Sequence, residues 1–405
     1  MNQVGTQRPE LLPQGRPETG VLALSYCSHA GGTPICNRKL WLVPRLTLLA
    51  SASVLVHDAY AASSAPVPCP AGAPNYVASD GGFGVSDGRW YTPSGQLWTI
   101  HGINVGWGGT PPTAAQILAQ FPGTNFVRLA VADFPGAASL QRVVDDYTSR
   151  GLFVEIEDHT SSDGQNRGGS TGTIFSGSLL QQDLSWYASI ASTFKNNPYV
   201  GFGSTNEPSE VNPATGHTDP AALSAWQLQE YNAVRSAGNN NPFWFAANCW
   251  PTVCNQGYNA SAYAGVTNAA WDMHVYPWLF PSGNSAAQDG SEISQLAASA
   301  QQIKSADGTM PVNILETGNS TTGVAIDSNW QQSMQAVLNS GLGYAPWIWG
   351  TGAPGDGLLS GHGGLSDYGS MVAAAIASSG PTGCAQSLVA TPNSTPRRQT
   401  SRGRR

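Results

Sequence analysis

Residues 126–158 read FVRLAVADFPGAASLQRVVDDYTSRGLFVEIED and contain the pattern of a strand, a helix and a second strand. The runs at 126–131 and 152–156 are short and apolar, which is typical of strands buried on both faces. Four apolar residues between them recur with the spacing of one helical face: Leu140, Val143, Val144 and Tyr147. Two strands joined by such a helix lie parallel in one sheet, so this stretch predicts an α/β fold.

The same alternation continues along the whole chain. Six further apolar runs have similar lengths, at 100–105, 200–202, 243–246, 271–275, 312–315 and 343–348. Helical patterns lie between several of them, at 180–194, 219–234, 293–303 and 330–338. Eight buried strands alternating with helices predict a (β/α)8 TIM barrel, with an open doubly wound sheet as the alternative. Neither Gly-rich phosphate-binding motif is present in the expected place, which disfavours nucleotide binding.

An alternating segment precedes the first barrel strand. Residues 83–100 alternate between apolar and polar side chains, and turn signals occur at Asp87-Gly88 and Ser94-Gly95. This pattern predicts an N-terminal β-hairpin in front of the barrel.

The charge of the chain is unevenly distributed. Of the 405 residues, 18 are Lys or Arg and 25 are Asp or Glu. Only eight of the basic residues, but 22 of the acidic ones, lie between residues 62 and 395. An acidic body repels nucleic acid and anionic membranes, so we expect a neutral or cationic ligand. The 13 tryptophans need a core or a flat ligand to pack on.

An export signal is predicted near the N-terminus. The apolar run 46–56 follows basic residues and precedes the small-residue site Ala59-Tyr60-Ala61, which is the order found in secretory signals. A membrane anchor is the alternative, but the run is shorter than the ~20 residues that span a bilayer. We therefore expect residues 1–61, including an extra stretch before the signal, to be removed, and the protein to be secreted or periplasmic.

The rest of the chain is expected to form a single catalytic barrel over residues 62–384. Residues 385–405 end in TPNSTPRRQTSRGRR, a basic segment with too few apolar residues to fold, and this tail is predicted to be disordered. Nothing in the sequence indicates an oligomer, and we expect a monomer.

Four cysteines remain after the predicted cleavage. An even number in an exported protein favours disulfides, and four cysteines allow three pairings. We favour Cys249–Cys254 as a local link and Cys69–Cys384 as a link between the chain ends, with free buried thiols as the alternative. Their spacing does not indicate a zinc site.

Polar and aromatic residues follow the predicted strands at the end where barrel enzymes carry their sites. These residues are Asn104, Trp107, Arg128, His159, Asn206, Glu207, Trp250, His274, Tyr276, Glu316, Trp347 and Trp349. A barrel with a purely structural role has no need of this series, so we interpret it as a functional site.

Two of these residues are acids on opposite walls. Glu207 follows the fourth strand and Glu316 ends the seventh, and two converging carboxyl groups are the arrangement that cleaves a glycosidic bond. One group must hold a proton near neutral pH and the other must be ionised. Arg128 on the second strand needs a buried carboxylate partner, and facing Glu316 it would keep that group ionised. A purely structural ion pair is the alternative.

Other residues of the series suit a sugar. Asn206 can donate to a sugar hydroxyl, and the indoles of Trp347 and Trp349 can pack on pyranose rings, although we expect one of the two to be in the core. His274 and Tyr276 lie on one face of the sixth strand. Tyr276 could donate to the nucleophile and His274 could orient Glu207 or bind sugar, with a core role as the alternative for either.

These motifs resemble glycoside hydrolase family 5, the cellulase family, from about residue 80 to about residue 375. The most specific are VGFGSTNEP at 200–208, His-Val-Tyr at 274–276, FVRLAV at 126–131, NILETGN at 313–319 and Pro-Trp-Ile-Trp at 346–349. The resemblance implies that Glu207 is the acid/base and Glu316 the nucleophile. It also implies supporting roles for Arg128, His159, Asn206, His274, Tyr276 and Trp347. Two positions depart from the family pattern. Strand three usually reads Asp-x-His, and this chain has Glu157-Asp158-His159 there. Leu315 precedes the nucleophile at a position where a smaller residue is more usual.

The resemblance implies a metal-independent retaining enzyme without a cofactor. We expect a secreted endo-β-glycanase that acts on β-1,4-glucan, and its partner is a polysaccharide or oligosaccharide, with no nucleic acid and no membrane after signal removal. A β-mannanase or another β-glycan hydrolase of the same fold is the nearest alternative. A non-catalytic carbohydrate-binding barrel would need neither Glu207 nor Glu316.

Overall fold

The computed structural model describes residues 81–160, 175–208, 220–246, 259–321, 325–351 and 357–379. The predicted signal, all four remaining cysteines with their predicted pairings, and the basic tail lie outside these ranges. Among the described residues, no helix combines the length and apolar composition that a bilayer crossing requires.

Eight parallel strands form one continuous sheet. They are β1 (Gly102–Gly106), β2 (Phe126–Val131), β3 (Phe153–Asp158), β4 (Val200–Gly203), β5 (Phe243–Ala246), β6 (Ala269–Val275), β7 (Val312–Thr317) and β8 (Gly343–Tyr344). Each strand pairs with the next one along the chain. The first and last strands also meet, because His101 bridges Tyr344 and the amide of Asn104 donates to the carbonyl of Pro346 at 2.9 Å. The predicted (β/α)8 barrel is confirmed.

Seven α-helices surround the sheet in the described part of the chain. They are α1 (Ala114–Gln120), α2 (Ala137–Ser149), α3 (Gly177–Phe194), α4 (Pro220–Ser236), α5 (Ala286–Ala300), α6 (Trp330–Asn339) and α7 (Asp367–Ser378). Five match the predicted patterns. The other two were not predicted: α1 follows a capping box of Thr113 and Gln116, and α7 follows Ser366, whose side chain accepts from the amide of Gly369. Between β5 and β6 the described residues form a 3₁₀ turn, Ala260–Tyr263.

The N-terminal segment has one strand more than the predicted hairpin. Strands Gly84–Ser86, Arg89–Tyr91 and Leu97–Trp98 form an antiparallel sheet. Its tryptophans pack with Phe126, Phe153 and Trp244 from the amino-terminal ends of the barrel strands. The indole N–H groups of Trp90 and Trp244 both donate to Oδ1 of Asn313, at 3.0 Å each. This aromatic cluster closes the bottom of the barrel, so the opposite end is the one open to a ligand.

The larger core lies between the strands and the helices. Along β2, Val127 and Leu129 face this outer core, whereas Phe126 and Arg128 face the barrel interior. The two-residue period of a strand explains this division, since successive side chains point to opposite faces of the sheet.

A group of buried acids lies behind the end of β4, between the barrel and helices α3 and α4. The two carboxylate oxygens of Glu230 accept from the hydroxyl and the amide of Thr205, at 2.8 and 3.2 Å. Asp158 also accepts from the Thr205 hydroxyl at 3.4 Å. Burial raises the pKa of Asp158 and of Glu230 to about 8, and burial with the nearby Glu230 charge raises that of Asp183 well above its ordinary value.

This acid group predicts that the protein is less stable at alkaline pH. The folded state keeps protons that the unfolded chain releases above pH ~4, so the free energy of unfolding falls as the pH rises from about 4 to about 8 and then levels off. Asp183→Asn removes one of the acids and keeps its shape. We expect its melting temperature to exceed that of the wild type by about 2–4 °C at pH 9, and to equal it at pH 4.

Thermal unfolding followed by circular dichroism at both pH values tests this prediction. Asp145→Asn is the control, because Asp145 lies exposed on α2 and should show the same pH dependence as the wild type. An Asp183→Asn variant that loses stability equally at pH 4 and pH 9 would contradict the proposed cause.

Candidate active site

One hydrogen-bonded group occupies the carboxyl ends of the barrel strands. It brings together eight of the predicted residues: Arg128, His159, Asn206, Glu207, His274, Tyr276, Glu316 and Trp347. They come from the ends of six strands or the turns that follow them, β2, β3, β4, β6, β7 and β8. The order of the strands in the sheet makes these ends converge, as expected for a parallel barrel.

Glu316 is held by two donors. Nη1 of Arg128 lies 2.9 Å from Oε2, and the hydroxyl of Tyr276 donates to Oε1 at 2.9 Å. The side chain is only 7% exposed. Both carboxylate oxygens are therefore oriented by charge and hydrogen bonds, as an attacking carboxylate requires.

A β-bulge determines which way Glu316 points. In the pairing of β6 with β7, Ile314 pairs with Met273 and Glu316 pairs with His274, so Leu315 has no partner in the register. Without the bulge, strand alternation would direct Glu316 to the helix side. With it, Leu315 packs inside against the aromatic cluster and Glu316 still faces the mouth. The larger side chain of Leu315 thus fills the interior beneath Glu316.

Glu207 follows β4 in an unusual backbone conformation. Its φ is +41°, a left-handed conformation that costs a non-glycine residue of order 1–3 kcal/mol. The amide of the preceding Asn206 donates to the carbonyl of Asp158 at 2.8 Å, which ties the turn to β3. The Glu207 side chain is 42% exposed and lies 2.9 Å from Nδ1 of His274. The turn thus directs an accessible carboxyl group toward the site.

The two acids face each other closely. A carboxylate oxygen of Glu207, a carboxylate oxygen of Glu316 and a ring nitrogen of His274 all lie within 4.8 Å of one another. Such atoms could in principle share a cation. The Arg128 guanidinium already supplies the positive charge beside Glu316, so we assign no metal to this site.

Arg128 is the centre of the buried charges. Besides Glu316, it donates to Oδ1 of Asn206 at 2.7 Å and to Oδ1 of Asn104 at 3.0 Å. Burial by itself lowers the pKa of Arg128, but the carboxylates around it raise the pKa well above its ordinary value. These carboxylates are Glu157, Asp272, Glu316 and Glu155. The guanidinium is therefore permanently charged, and it both supports the barrel interior and orients Glu316.

His274 and Glu207 shift each other's pKa in opposite directions. Burial lowers the pKa of His274, but the charges of Glu316 and Asp272 outweigh it and raise the pKa well above its ordinary value. Burial raises the pKa of Glu207, whereas the hydrogen bond and charge of His274 lower it overall. The sequence led us to expect a carboxyl group that holds its own proton. Instead, the two shifts favour an ionised carboxylate beside a protonated imidazole.

His159 and Trp347 form one wall of the mouth. Nδ1 of His159 lies 2.8 Å from Oε1 of Glu157. Glu157 stands where the family usually has the shorter Asp, and its side chain contacts the histidine two residues later. The indole of Trp347 stacks on the imidazole with ring centroids 5.1 Å apart and planes 17° from parallel. Nδ2 of Asn206 lies 3.5 Å from the other ring nitrogen. The wall combines a flat surface with polar groups, which suits a sugar ring.

Comparison with known families agrees with this geometry. The model of the family Cellulase (glycosyl hydrolase family 5) matches residues 91–353, more than half of the chain. The chain belongs to glycoside hydrolase family 5. The resemblance inferred from the motifs is confirmed.

Solved structures with this fold include enzymes that act on two kinds of glycan. A mannanase catalytic domain from Streptomyces sp. SirexAA-E is 22% identical with a TM-score of 0.54, over 75% of this chain and 94% of that one. A β-mannanase from Streptomyces thermolilacinus with mannohexaose is 22% identical with a TM-score of 0.51, over 73% and 94%. An endoglucanase catalytic domain from Thermobifida fusca with cellotetraose is 14% identical with a TM-score of 0.53, over 73% and 97%. A search of curated proteins by sequence finds no match.

Three further predicted residues of this family 5 chain, Asn104, Trp107 and Trp349, pack into the core of the described structure. Asn104 is fully buried, and its Nδ2 donates to the carbonyls of Leu315 and Ala345 at 2.8 and 2.6 Å. It therefore positions Arg128 and β7 instead of meeting a ligand. Trp107 and Trp349 are half-buried against the outer core, so Trp349 is the core member of the Trp347/Trp349 pair. Trp250 lies outside the described residues.

Three interior acids of the family 5 barrel were not among the predicted site residues. They are Glu155, Glu157 and Asp272, all buried and all near Arg128. The signal was present, because Glu157 and Asp272 stand two residues before His159 and His274 and so share their strand faces. Gly203 leaves room for them: a side chain there would come within 2.8 Å of Cβ of Glu157.

Proposed function

We propose that this family 5 protein is a retaining endo-β-glycanase that hydrolyses β-1,4-glucan, with Glu316 as nucleophile and Glu207 as acid/base. The observation that carries the proposal is the approach of the two carboxylates to within 4.8 Å at the open end of the barrel. Retaining glycosidases have carboxyl groups about 5–5.5 Å apart, whereas inverting ones need about 6.5–9.5 Å to admit a water. The short approach supports direct attack by one carboxylate.

In the first step, Oε1 or Oε2 of Glu316 bonds to the anomeric carbon while the bond from that carbon to the leaving oxygen breaks. The leaving oxygen takes a proton from the Glu207–His274 pair. His274 first passes its Nδ1 proton to the ionised Glu207 along their 2.9 Å contact, and the Glu207 carboxyl group then gives that proton to the leaving oxygen. Arg128 and Tyr276 hold Glu316 in place during the attack.

In the second step, Glu207 removes a proton from a water that attacks the same carbon. The bond to Glu316 breaks, the carboxylate returns to its two donors, and the pair regains its proton. Two inversions at one carbon leave the product with the starting configuration. No metal or cofactor takes part in this sequence of steps.

The walls of the mouth support a sugar ligand. The Trp347 indole offers a flat apolar face, and the polar edges of His159 and Asn206 lie beside it. Pyranose rings have apolar C–H faces and polar hydroxyl edges, so one ring can use both features. The predicted export signal agrees with a polymer substrate that a cell cannot take up whole, and we propose a monomeric protein outside the cytoplasm.

β-1,4-Mannan is the second candidate substrate. Two of the similar structures are mannanases with 22% identity, compared with 14% for the endoglucanase with cellotetraose. Glucose and mannose differ at the 2-hydroxyl, which is equatorial in one sugar and axial in the other. Asn206, adjacent to the acid/base, is the described side chain whose hydrogen bond would distinguish them.

The test is incubation of the purified protein with cellohexaose, mannohexaose and their soluble polymers. Proton NMR follows the anomers of the first products, and viscosity measures internal cleavage. We expect the β-anomer to form first and viscosity to fall before much reducing sugar appears. First release of the α-anomer would overturn the mechanism, cleavage of mannan alone would transfer the assignment to the second candidate, and no cleavage of any β-glycan would overturn the function.

A further inference from the structure

Asp272 lies beneath the two catalytic acids and contacts a neighbour of each one. It lies on β6 two residues before His274 and is 2% exposed. Its Oδ2 lies 3.3 Å from Nε2 of His274 and 3.6 Å from Nε of Arg128. Its Oδ1 accepts from the amide of Leu315 at 3.1 Å. One buried carboxylate thus meets the partner of the acid/base and the strand of the nucleophile.

The first contact determines the hydrogen bonding of His274. Nδ1 faces Glu207 and Nε2 faces Asp272, and ionised carboxylates only accept hydrogen bonds. A ring with a proton on each nitrogen satisfies both. Nε2 also lies 3.5 Å from Nη2 of Arg128, which only donates. Without the Asp272 charge, Nε2 would become an acceptor for Arg128 and the ring would lose its second proton.

The second contact secures the bulge that directs Glu316. Leu315 is the residue skipped in the register between β6 and β7. A buried amide without a partner costs free energy, and Oδ1 of Asp272 accepts from this one. The same side chain therefore stabilises the local geometry that turns Glu316 into the mouth.

We propose that Asp272 is a positioning residue that couples the acid/base to the nucleophile, through His274 to Glu207 and through the Leu315 amide to Glu316. This inference rests on the proposed function. The charged groups facing His274 come from several strands: Arg128, Glu155, Glu207, Asp272 and Glu316. Acids outnumber the cation in this interior, so removing one acid leaves Arg128 compensated and the fold intact.

Two variants separate the two contacts. Asp272→Asn keeps an oxygen for the Leu315 amide but removes the charge beside His274. Asp272→Ala removes both. Asp289→Asn is the matched control, because Asp289 is an aspartate on α5 that is 1% exposed and accepts from Ser333, far along the chain from the site residues.

The pH dependence of kcat is the first measurement, on whichever β-glycan the wild type cleaves. For Asp272→Asn we expect kcat to fall about tenfold to a hundredfold while KM is unchanged. We also expect the alkaline limb of the pH profile of kcat to move about one pH unit lower. The direction follows because loss of the adjacent anion lowers the pKa of His274. Asp272→Ala should lose about a further tenfold in kcat, and Asp289→Asn should match the wild type. An Asp272→Asn variant whose kcat and whose alkaline limb in the pH profile both equal those of the wild type would overturn the inference.

The titration of ¹⁵N-labelled histidine rings is the second measurement and needs no activity. A His274→Gln spectrum identifies the His274 resonances, and we expect their midpoint to fall in Asp272→Asn. If the wild type cleaves no glycan, the proposed function fails, but the histidine titration still tests whether Asp272 acts on His274. An unchanged His274 midpoint in Asp272→Asn would overturn the inference whatever the activity.

Discussion

Replacing Glu316 with glutamine is expected to lower the rate of glycan hydrolysis by about four orders of magnitude. The amide keeps the size of the side chain but cannot form the covalent bond to the anomeric carbon. It also removes the negative charge that pairs with Arg128 at 2.9 Å. Initial rates on the glycan that the wild type cleaves best measure the loss.

Azide distinguishes the roles of the two acids. In Glu316→Ala, azide can enter the vacated space and attack the anomeric carbon once, which gives an α-glycosyl azide from an activated β-glycoside. In Glu207→Ala, the bond to Glu316 still forms with an activated leaving group, and azide then attacks from the opposite side to give a β-glycosyl azide. Product configuration by NMR therefore assigns nucleophile and acid/base independently of the size of the rate loss.

Glu292→Gln is the control for these variants. Glu292 lies on the outer side of the barrel on α5, where it accepts from Asn284 at 3.2 Å, and the variant should retain the wild-type rate. A Glu316→Gln variant within tenfold of the wild type would contradict the assignment of Glu316. A β-configured azide product from Glu316→Ala would contradict it as well.

Replacing Arg128 with methionine is expected to cost about 3–5 kcal/mol of unfolding free energy near pH 8. Methionine fills similar volume but leaves the interior carboxylates without their cation. The loss should be smaller at pH 5, because acids that the guanidinium no longer compensates can take up protons. Unfolding in urea at the two pH values measures both the loss and its pH dependence.

Arg150→Met is the matched control for this prediction. The Arg150 side chain is 51% exposed and lies 3.7 Å from Asp146, and exposed pairs of this kind contribute about 0–1 kcal/mol. If Arg128→Met does not fold, Arg128→Lys tests the charge alone and should recover part of the stability. Equal stability of Arg128→Met and the wild type at pH 8 would contradict the role of Arg128 as the compensating charge.

Much of the fold could be predicted from local patterns. The runs 126–131 and 152–156 and the helix between them carry their periodicity within about 30 residues, and the same unit repeats along the chain. Helix α1 has seven residues and the third N-terminal strand has two. Both were missed because so few residues do not show a hydrophobic period. The sequence could also place Asn-Glu-Pro at 206–208 and Glu316 in one site, because the carboxyl ends of parallel strands lie at the same end of a barrel.

The sequence by itself determined the alternation of strands and helices, the family, and the convergence of Glu207 and Glu316, because each follows from spacing along the chain. Only the tertiary structure decided that Leu315 bulges, that the Asp272 carboxylate accepts a hydrogen bond from its amide, and that the charges of Glu316 and Asp272 raise the pKa of His274. These features depend on the register between β6 and β7 and on the summed charges of several strands. Such contacts join residues far apart in the chain, so no local pattern records them.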